Sequence, residues 1–386
     1  MNFGFNEEQE LLRNTARKFF ENECPSDTVR KLMETPEGIS AELWKKLAEQ
    51  GWLGLIYPEP YDGMALGLVD LVVLMEEMGR AVAPGPYFST VLLGGLAVLE
   101  AGSDAQKKEW LPKIAAGDKR VALAWMEPSA QLGPAGITLT AVEKGGKYTL
   151  SGTKLFVHDA HTADALVVAA RTRPGAGPDG VSLFLLPKGT KGLAVTLLPT
   201  MDQTRKLCEV TCADVTVGAD ALLGAAGTGW APLSRVLDRA TVALCAEMCG
   251  GAQKVLDMTV EYAKIRQAFG RPIGSYQGVK HRAADMLVDV ENSKSITFYA
   301  AWALDEGAAE APLAVSMAKA YVSDAYRRVS AAGIQLHGGI GFTWEHEVHL
   351  YFKRARASAT LLGSPAWQRE QLLRVLGMGT AAVPVY

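Results

Sequence analysis

Apolar positions along the first 118 residues recur at helical spacing. In "FNEEQELLRNTARKFFENEC", Leu11, Leu12, Ala16, Phe19 and Phe20 fall on one helical face. Asn6, with Gln9 three residues on, has the form of a capping box. "ISAELWKKLAEQGW" repeats the pattern, and the stretches around Leu71 and Leu92 read as more deeply buried helices. Near Val121 the period drops to two. "GITLTAVEKGGKYTLSGTKLFV" alternates and holds Gly145-Gly146, a hairpin turn signal. "DALVVAA", "VSLFLLP", "LAVTLLP" and "CEVTCADVTV" follow, each short, aliphatic or β-branched, and bounded by Gly, Pro or Asp. No long helical pattern separates them, which predicts an antiparallel β domain rather than parallel βαβ units. From about Ala231 long helical elements return, expected over 232–266, 277–306, 313–335 and 343–358. The expected fold class is α+β and multidomain. An N-terminal α-helical domain covers 1–119, a middle antiparallel β domain 120–230, and a C-terminal four-helix bundle 231–386.

Composition narrows the function classes. A chain of 386 residues, 48% hydrophobic and 21% charged, has the balance of a soluble globular protein with a large core. A net charge of -3 argues against a nucleic-acid-binding surface, which needs concentrated Lys and Arg. "MNFGFNEEQELLRN" has acids where a signal peptide would be basic and then apolar. "LGLVDLVVLMEEMG" and "VLLGGLAVLEAG" are too short to span a membrane and are broken by acids. Five cysteines, odd in number and irregularly spaced, fit a reducing compartment. The expectation is a cytoplasmic protein with no nucleic-acid partner and no membrane span.

The search for chemistry removes several classes. "HEVH" (His346 to His349) places its histidines three apart, where a zinc-protease motif needs four. Cys245 and Cys249 share a helix face, but no His or Cys pair has finger-like spacing, so no metal is expected. There is no G-x-S-x-G elbow, no P-loop, and no GxGxxG after a strand. What remains is one isolated acid. Between Ala240 and Gln253 the only charge is Glu247, and its helical neighbours Ala243, Leu244, Gly250 and Gly251 cannot neutralise it. It is read either as a general base or as a structural carboxylate paired with a distant Arg or with water. Two further stretches suit a ligand. "YAKIRQAFGRPIGSYQ" ends a helix at Arg266 and places Phe269, Gly270 and Gly274 in a tight connection, a setting for a pyrophosphate. "QLHGGIGFTWEH" joins Gln335 to Gly338, Gly339 and Gly341, where backbone can approach a ligand closely. A helix C-cap and a loop would also explain these glycines.

Taken in order, "GLIYPEPYDG", "TMDQTRKLCEVTCADVTV", "RQAFGRPIGSYQGVKHRAADM" and "LHGGIGFTWEHEVHLYFKRA" resemble segments of the acyl-CoA dehydrogenase family, and the likeness runs over essentially the whole chain. The resemblance implies FAD and an acyl-CoA thioester. It implies oxidation of the Cα–Cβ bond to an enoyl product, with the hydride passing to flavin N5. It also implies an electron-transferring flavoprotein as acceptor and a tetramer, homomeric or with a second acyl-CoA dehydrogenase-like subunit. It assigns Arg266, Phe269, Gln335, Gly338 and Gly339 to the FAD of a neighbouring subunit.

The chain also departs from the family pattern. The family's "TEPGAGSD", which lines flavin and CoA, stands here as "MEPSAQLG", with Met126 in place of Thr. Its "WITNG" stands as "FVHDA", so Phe156 and His158 replace Trp and Thr; either His158 donates to the flavin or this subunit holds FAD weakly. The usual base, the Glu of "YEGT", is Leu362 of "LLGS". The helix position that two branches use instead is Ala240. Glu247, seven residues beyond Ala240 and on nearly the same face, becomes the candidate base. Heteromeric bacterial members that act on ring-bearing or steroid side-chain thioesters are similar there. The alternatives are a non-catalytic subunit that completes a partner's FAD site, and an oxidase that uses oxygen. Small residues at Ala240, Ala243, Ala246, Gly250 and Gly251 either open room for a bulky acyl group or serve close helix packing.

Overall fold

The computed structural model describes residues 5–378. Their contacts group the chain into two compact units. One holds the chain through 31, then 67–83, then from 241 onward; the other holds 32–66 and 84–240.

The first unit is helical. It contains α1 (Glu7–Glu23) and most of α2 (Ser26–Glu34), while α3 (Ala41–Glu49) belongs to the second unit, and α4 (Leu68–Arg80) returns to the first. The capping box forms as expected: Asn6 Oδ1 accepts from the Gln9 N–H at 2.8 Å, and Gln9 Oε1 accepts from the Asn6 N–H at 3.1 Å. The stripe behind it is narrower than its spacing suggests, because only Ala16 and Phe20 are fully buried and Leu11 is 68% exposed. Ten of the thirteen residues of α4 are buried, Glu76 and Glu77 among them.

The second unit holds α5 (Leu96–Ala101), α6 (Asp104–Ala115) and β1 to β8: Val121–Ala124, Thr140–Lys144, Lys147–His158, Ala165–Arg171, Val181–Pro187, Leu193–Leu198, Leu207–Gly218 and Leu222–Leu223. The hairpin forms where Gly145-Gly146 predicts it, with both glycines at positive φ and Lys144 opposite Lys147. The strands order as β6-β7-β3-β2-β4-β5-β8, with β1 also on β4. The sheet departs from the antiparallel expectation at β4, with which both β1 and the Thr140 end of β2 pair in parallel. Every residue of β4 is buried, so its apolar run carries no alternation that would reveal its neighbours. The stretch around Leu92 is buried throughout but is π-helical over Phe88–Gly95 rather than α-helical. A Cβ on Gly94 would stand 2.2 Å from the Val121 carbonyl oxygen, so this segment lies against β1 through backbone.

The long C-terminal helices are α7 (Trp230–Ile265), α8 (Gln277–Asp305), α9 (Ala311–His337), α10 (Val348–Thr360) and α11 (Pro365–Val375), with a two-residue hairpin β9 (Gln267–Ala268) and β10 (Arg271–Pro272) after α7. The helix expected over 343–358 begins only at Val348, whose N–H donates to His346 Nδ1 at 3.1 Å. The described residues add α11, which the expected four-helix bundle lacks. Its signal was present in the sequence: Ser364 caps the Trp367 N–H at 3.3 Å, and Pro365 sits at the first helical position.

Gly79 of α4 and Gly250 of α7 meet at a backbone crossing. A Cβ on Gly250 would lie 1.8 Å from the Glu76 carbonyl oxygen, and one on Gly79 would lie 1.9 Å from that of Glu247. A Cβ on Gly251 would lie 2.3 Å from the Tyr326 hydroxyl. Close packing therefore accounts for Gly250 and Gly251, the question their sequence left open.

Candidate active site

In the second unit, β3 carries two of the expected site residues at an irregularity. Its inward positions are Leu150 and Lys154, then the parity shifts and Val157 points inward. The shift coincides with a break in the pairing of β3 with β7 between Lys154 and Val157. There Phe156 takes a left-handed backbone, φ 55°, and is 45% exposed. A left-handed aromatic residue is strained by about 1 kcal/mol or more, and such strain concentrates at functional sites. Beside it the Leu155 N–H donates to the Met126 carbonyl at 2.9 Å, so Met126 and Phe156 sit on adjoining segments. His158 is buried, its ring centroid 5.9 Å from that of Phe88. Met126 and Phe156 thus lie on adjoining segments, and His158 follows two residues on in β3.

Behind them lies a pair that the sequence reading missed. Lys154 is fully buried, and its Nζ donates to Glu127 Oε1 at 2.6 Å and to the Trp125 carbonyl at 3.2 Å. Burial draws the Lys154 ammonium down to about 8, against the opposing pull of Glu127. Glu127 also accepts from the Thr138 N–H at 2.8 Å, the Leu139 N–H at 2.9 Å and the Thr138 hydroxyl. Burial would raise its carboxyl, but Lys154 and these donors hold it below its ordinary value. A lysine at an inward position of an alternating strand was the available sequence signal.

Glu247 lies in the first unit, buried as expected, but it is not alone. Arg354 of α10 donates from its NH1 nitrogen to Glu247 Oε1, and the two side chains are 5% and 7% exposed. The partner stands 107 residues away on another helix, so inspection of Glu247's own helix could not find it. Of the two readings of Glu247, the structural one names a distant Arg as its partner, and Arg354 is that Arg. A second carboxylate on α7 escaped notice: Asp238 is half buried, and burial pushes its carboxyl up to about 6. Asp238 precedes Glu247 by nine residues and so projects from the opposite face of the helix.

The ends of α7 and α9 adjoin, because Tyr262 stacks on His337 with centroids 4.7 Å apart. Arg266 follows α7 and is exposed, as are Gln335, Gly338 and Gly339. The Phe269-Gly270 turn of the small hairpin has positive φ at both residues, and Phe269 is 97% exposed. Gly338 has φ 64° and ψ -141°, which only glycine adopts readily. Gly339 has no such conformation, and a Cβ there would meet nothing within 4 Å. Neither backbone angle nor packing among the described residues requires glycine at 339. A cavity of about 470 Å³ adjoins, lined in part by Val260, Ala263, Pro272, Val279 and Leu336.

Three histidines lie at and beyond the end of α9. His346 lies 4.3 Å from His337, centroid to centroid, and His349 lies 4.7 Å from Trp344. No group of three or more His, Cys, Asp or Glu among the described residues is arranged to hold a metal ion. Burial, with Lys353 and Arg30 nearby, draws the His349 imidazole down to about 4, and His337 and His346 are lowered too. The unfolded chain binds these protons at ordinary imidazole values, so their contribution is present above about pH 6.5 and is lost as pH falls towards 4. The melting temperature of the protein is expected to drop across that window, and His349→Phe to make the drop shallower. An unchanged slope in His349→Phe would show that His349 does not carry it.

Family models for the N-terminal, middle and C-terminal domains of acyl-CoA dehydrogenases match residues 6–118, 122–215 and 227–377. The chain belongs to the acyl-CoA dehydrogenase family. It is 34% identical over 371 residues to acyl-CoA dehydrogenase IpdE2 of Mycolicibacterium smegmatis, covering 96% of this chain and 98% of that one. It is 34% identical over 326 residues to cyclohex-1-ene-1-carbonyl-CoA dehydrogenase of Geobacter metallireducens, covering 82% and 84%. A chain of the ChsE4-ChsE5 complex from Mycobacterium tuberculosis superposes with a TM-score of 0.89 at 29% identity, covering 99% and 100%.

Acyl-CoA dehydrogenases are flavin-dependent oxidoreductases that bind FAD. The residues of this chain fit that group. Gly339 leaves open space that none of the described residues fills, Arg266 is exposed and can meet a pyrophosphate, and Phe269 offers an uncovered ring. No helix among the described residues is long and apolar enough to cross a membrane.

Proposed function

We propose that this acyl-CoA dehydrogenase oxidises the Cα–Cβ bond of an acyl-CoA thioester to the enoyl-CoA, with Glu247 as the base that removes the α-proton. The supporting observation is the burial of Glu247 on α7, two turns beyond Ala240; its ion pair with Arg354 is what the structural reading of Glu247 expects as well. Arg354 compensates the charge of the buried carboxylate. The crossing at Gly79 and Gly250 fixes the Glu247 backbone, because Gly79 packs on the Glu247 carbonyl itself. When bound, FAD supplies the acceptor for the hydride leaving Cβ, at flavin N5. Arg266, Phe269, Gln335, Gly338 and Gly339 are the residues we assign to hold FAD across a subunit boundary, and Met126, Phe156 and His158 those beside the flavin edge and CoA. Leu362 fills the position of the usual family base; it is buried and left-handed at φ 57°.

The exposed Ile265, Phe269, Phe342 and Trp344, near the ends of α7 and α9, favour assembly with other subunits. We infer a tetramer, homomeric or heteromeric, that reduces an electron-transferring flavoprotein in the cytoplasm. The heteromeric form is favoured by the likeness to the ChsE4-ChsE5 complex.

Gly339→Val tests the FAD assignment. With nothing within 4 Å of the new Cβ, the apoprotein is expected to melt as the wild type does. FAD occupancy of the purified holoenzyme, read from the flavin released on denaturation, is expected to collapse. Full FAD occupancy in Gly339→Val, or a wild-type complex that releases no FAD, would refute the assignment.

A further inference from the structure

We propose that the buried Lys154–Glu127 pair is the positioning element for the flavin-edge segment, holding Met126 and Phe156 from behind without touching the cofactor. This rests on the assignment of Met126 and Phe156 to the flavin edge. Three observations carry it. Lys154 and Glu127 are 0% and 4% exposed, so neither reaches a ligand directly. The two residues flank the site residues in sequence: Glu127 follows Met126, and Lys154 precedes Phe156 by two. Finally, β3 loses its regular pairing with β7 over the stretch from Lys154 to Val157, where Phe156 adopts its left-handed backbone.

A strand that leaves its ladder needs other bonds to fix it. Here Lys154 supplies two, to Glu127 and to the Trp125 carbonyl, and the Leu155 N–H supplies a third to Met126. Glu127 passes the constraint on to Thr138 and Leu139, at the start of the segment leading into β2. The ionisable groups facing Lys154 from neighbouring strands are Arg171 on β4 and the Cys212 thiol on β7, which burial keeps protonated. A merely stabilising contact would not require a salt bridge here, because an apolar pair of similar volume usually serves stability as well. A buried pair with directional hydrogen bonds specifies one position of the segment instead.

The test uses two variants of the holoenzyme. Glu127→Gln keeps the shape and the acceptor towards Leu139 and Thr138 while removing the carboxylate. Glu127→Gln/Lys154→Met removes both charges and leaves no buried ion uncompensated, so it keeps the fold even if the single variant does not. Phe156→Ala serves as the reference for a direct change at the flavin edge. We expect both pair variants to bind FAD about tenfold more weakly, the scale of one lost charge-assisted hydrogen bond. We also expect their visible circular dichroism bands of bound flavin to shift as in Phe156→Ala, while the apoprotein of the double variant melts near the wild type. If Phe156→Ala shifts the flavin bands and the double variant leaves affinity and bands unchanged, the positioning role is overturned. If Phe156→Ala itself leaves the flavin unaltered, the flavin-edge assignment fails, and this proposal with it.

Discussion

Gly250→Ala is expected to destabilise the helical unit by about 3 kcal/mol or more, the upper range for overpacking a core. The added Cβ would stand 1.8 Å from the Glu76 carbonyl oxygen and 2.9 Å from the Arg80 nitrogen, both backbone atoms of a helix. No rotamer change relieves a clash with backbone, so α4 and α7 must separate. Separation would open contacts along α4, whose buried face includes Leu71, Leu74, Met75 and Met78. Gly79→Ala is expected to act alike through the Glu247 carbonyl. Because both substitutions force the same two helices apart, the double variant should lose less than the sum of the single losses. Thermal melting of the three variants checks this. Melting of Gly250→Ala within a degree or two of the wild type would mean that the crossing is looser than described. The consequence for function is that Glu247 should lose its place along with the fold.

Local signals in the sequence carried through to the structure where they depend on adjacent residues. Asn6 with Gln9 and Gly145 with Gly146 specify their own geometry, and both formed. The glycines at 338 and 339 were legible as unusual, though only the coordinates separate Gly338, required by its φ and ψ, from Gly339, required by nothing among the described residues. Whatever depended on distant chain was not legible. Arg354 reaches Glu247 from a helix 107 residues away, and β1 reaches β4 in parallel across the intervening hairpin. Lys154 was overlooked for a different reason. A lysine in a strand is usually counted as a solvent-facing residue, and its burial becomes visible only when the alternation from Leu150 is followed through Gly152. The π-helical turn of Phe88–Gly95 had no sequence mark, since its apolar residues suit any buried helix.

Glu247→Gln is expected to lower turnover by about 10²–10⁴-fold, the usual worth of a general base. The amide keeps the shape and an oxygen that Arg354 can still reach, but it cannot take up the α-proton as a carboxylate does. Arg354 also sets the effect on stability. An unpartnered buried carboxylate would be better replaced by a neutral group, whereas here the substitution removes the charge that faces a buried guanidinium. Loss of one member of a buried pair costs about 3–5 kcal/mol, less where a hydrogen bond survives. Melting should therefore fall in Glu247→Gln and recover in Glu247→Gln/Arg354→Met, which buries no charge. Turnover should not recover with it. That separation distinguishes a base from a structural carboxylate.

The decisive measurement is the rate of flavin bleaching when the holoenzyme is mixed anaerobically with acyl-CoA thioesters, including steroid side-chain, alicyclic and straight-chain forms. It needs no electron acceptor and reports the chemical step alone. The wild type is expected to bleach with at least one of these thioesters. The stability-matched Glu247→Gln/Arg354→Met variant is expected to bleach at least about 10²-fold more slowly with the same thioester at equal FAD content. Bleaching at the wild-type rate in that variant would contradict the account and move the search for the base to Asp238 or to a partner subunit.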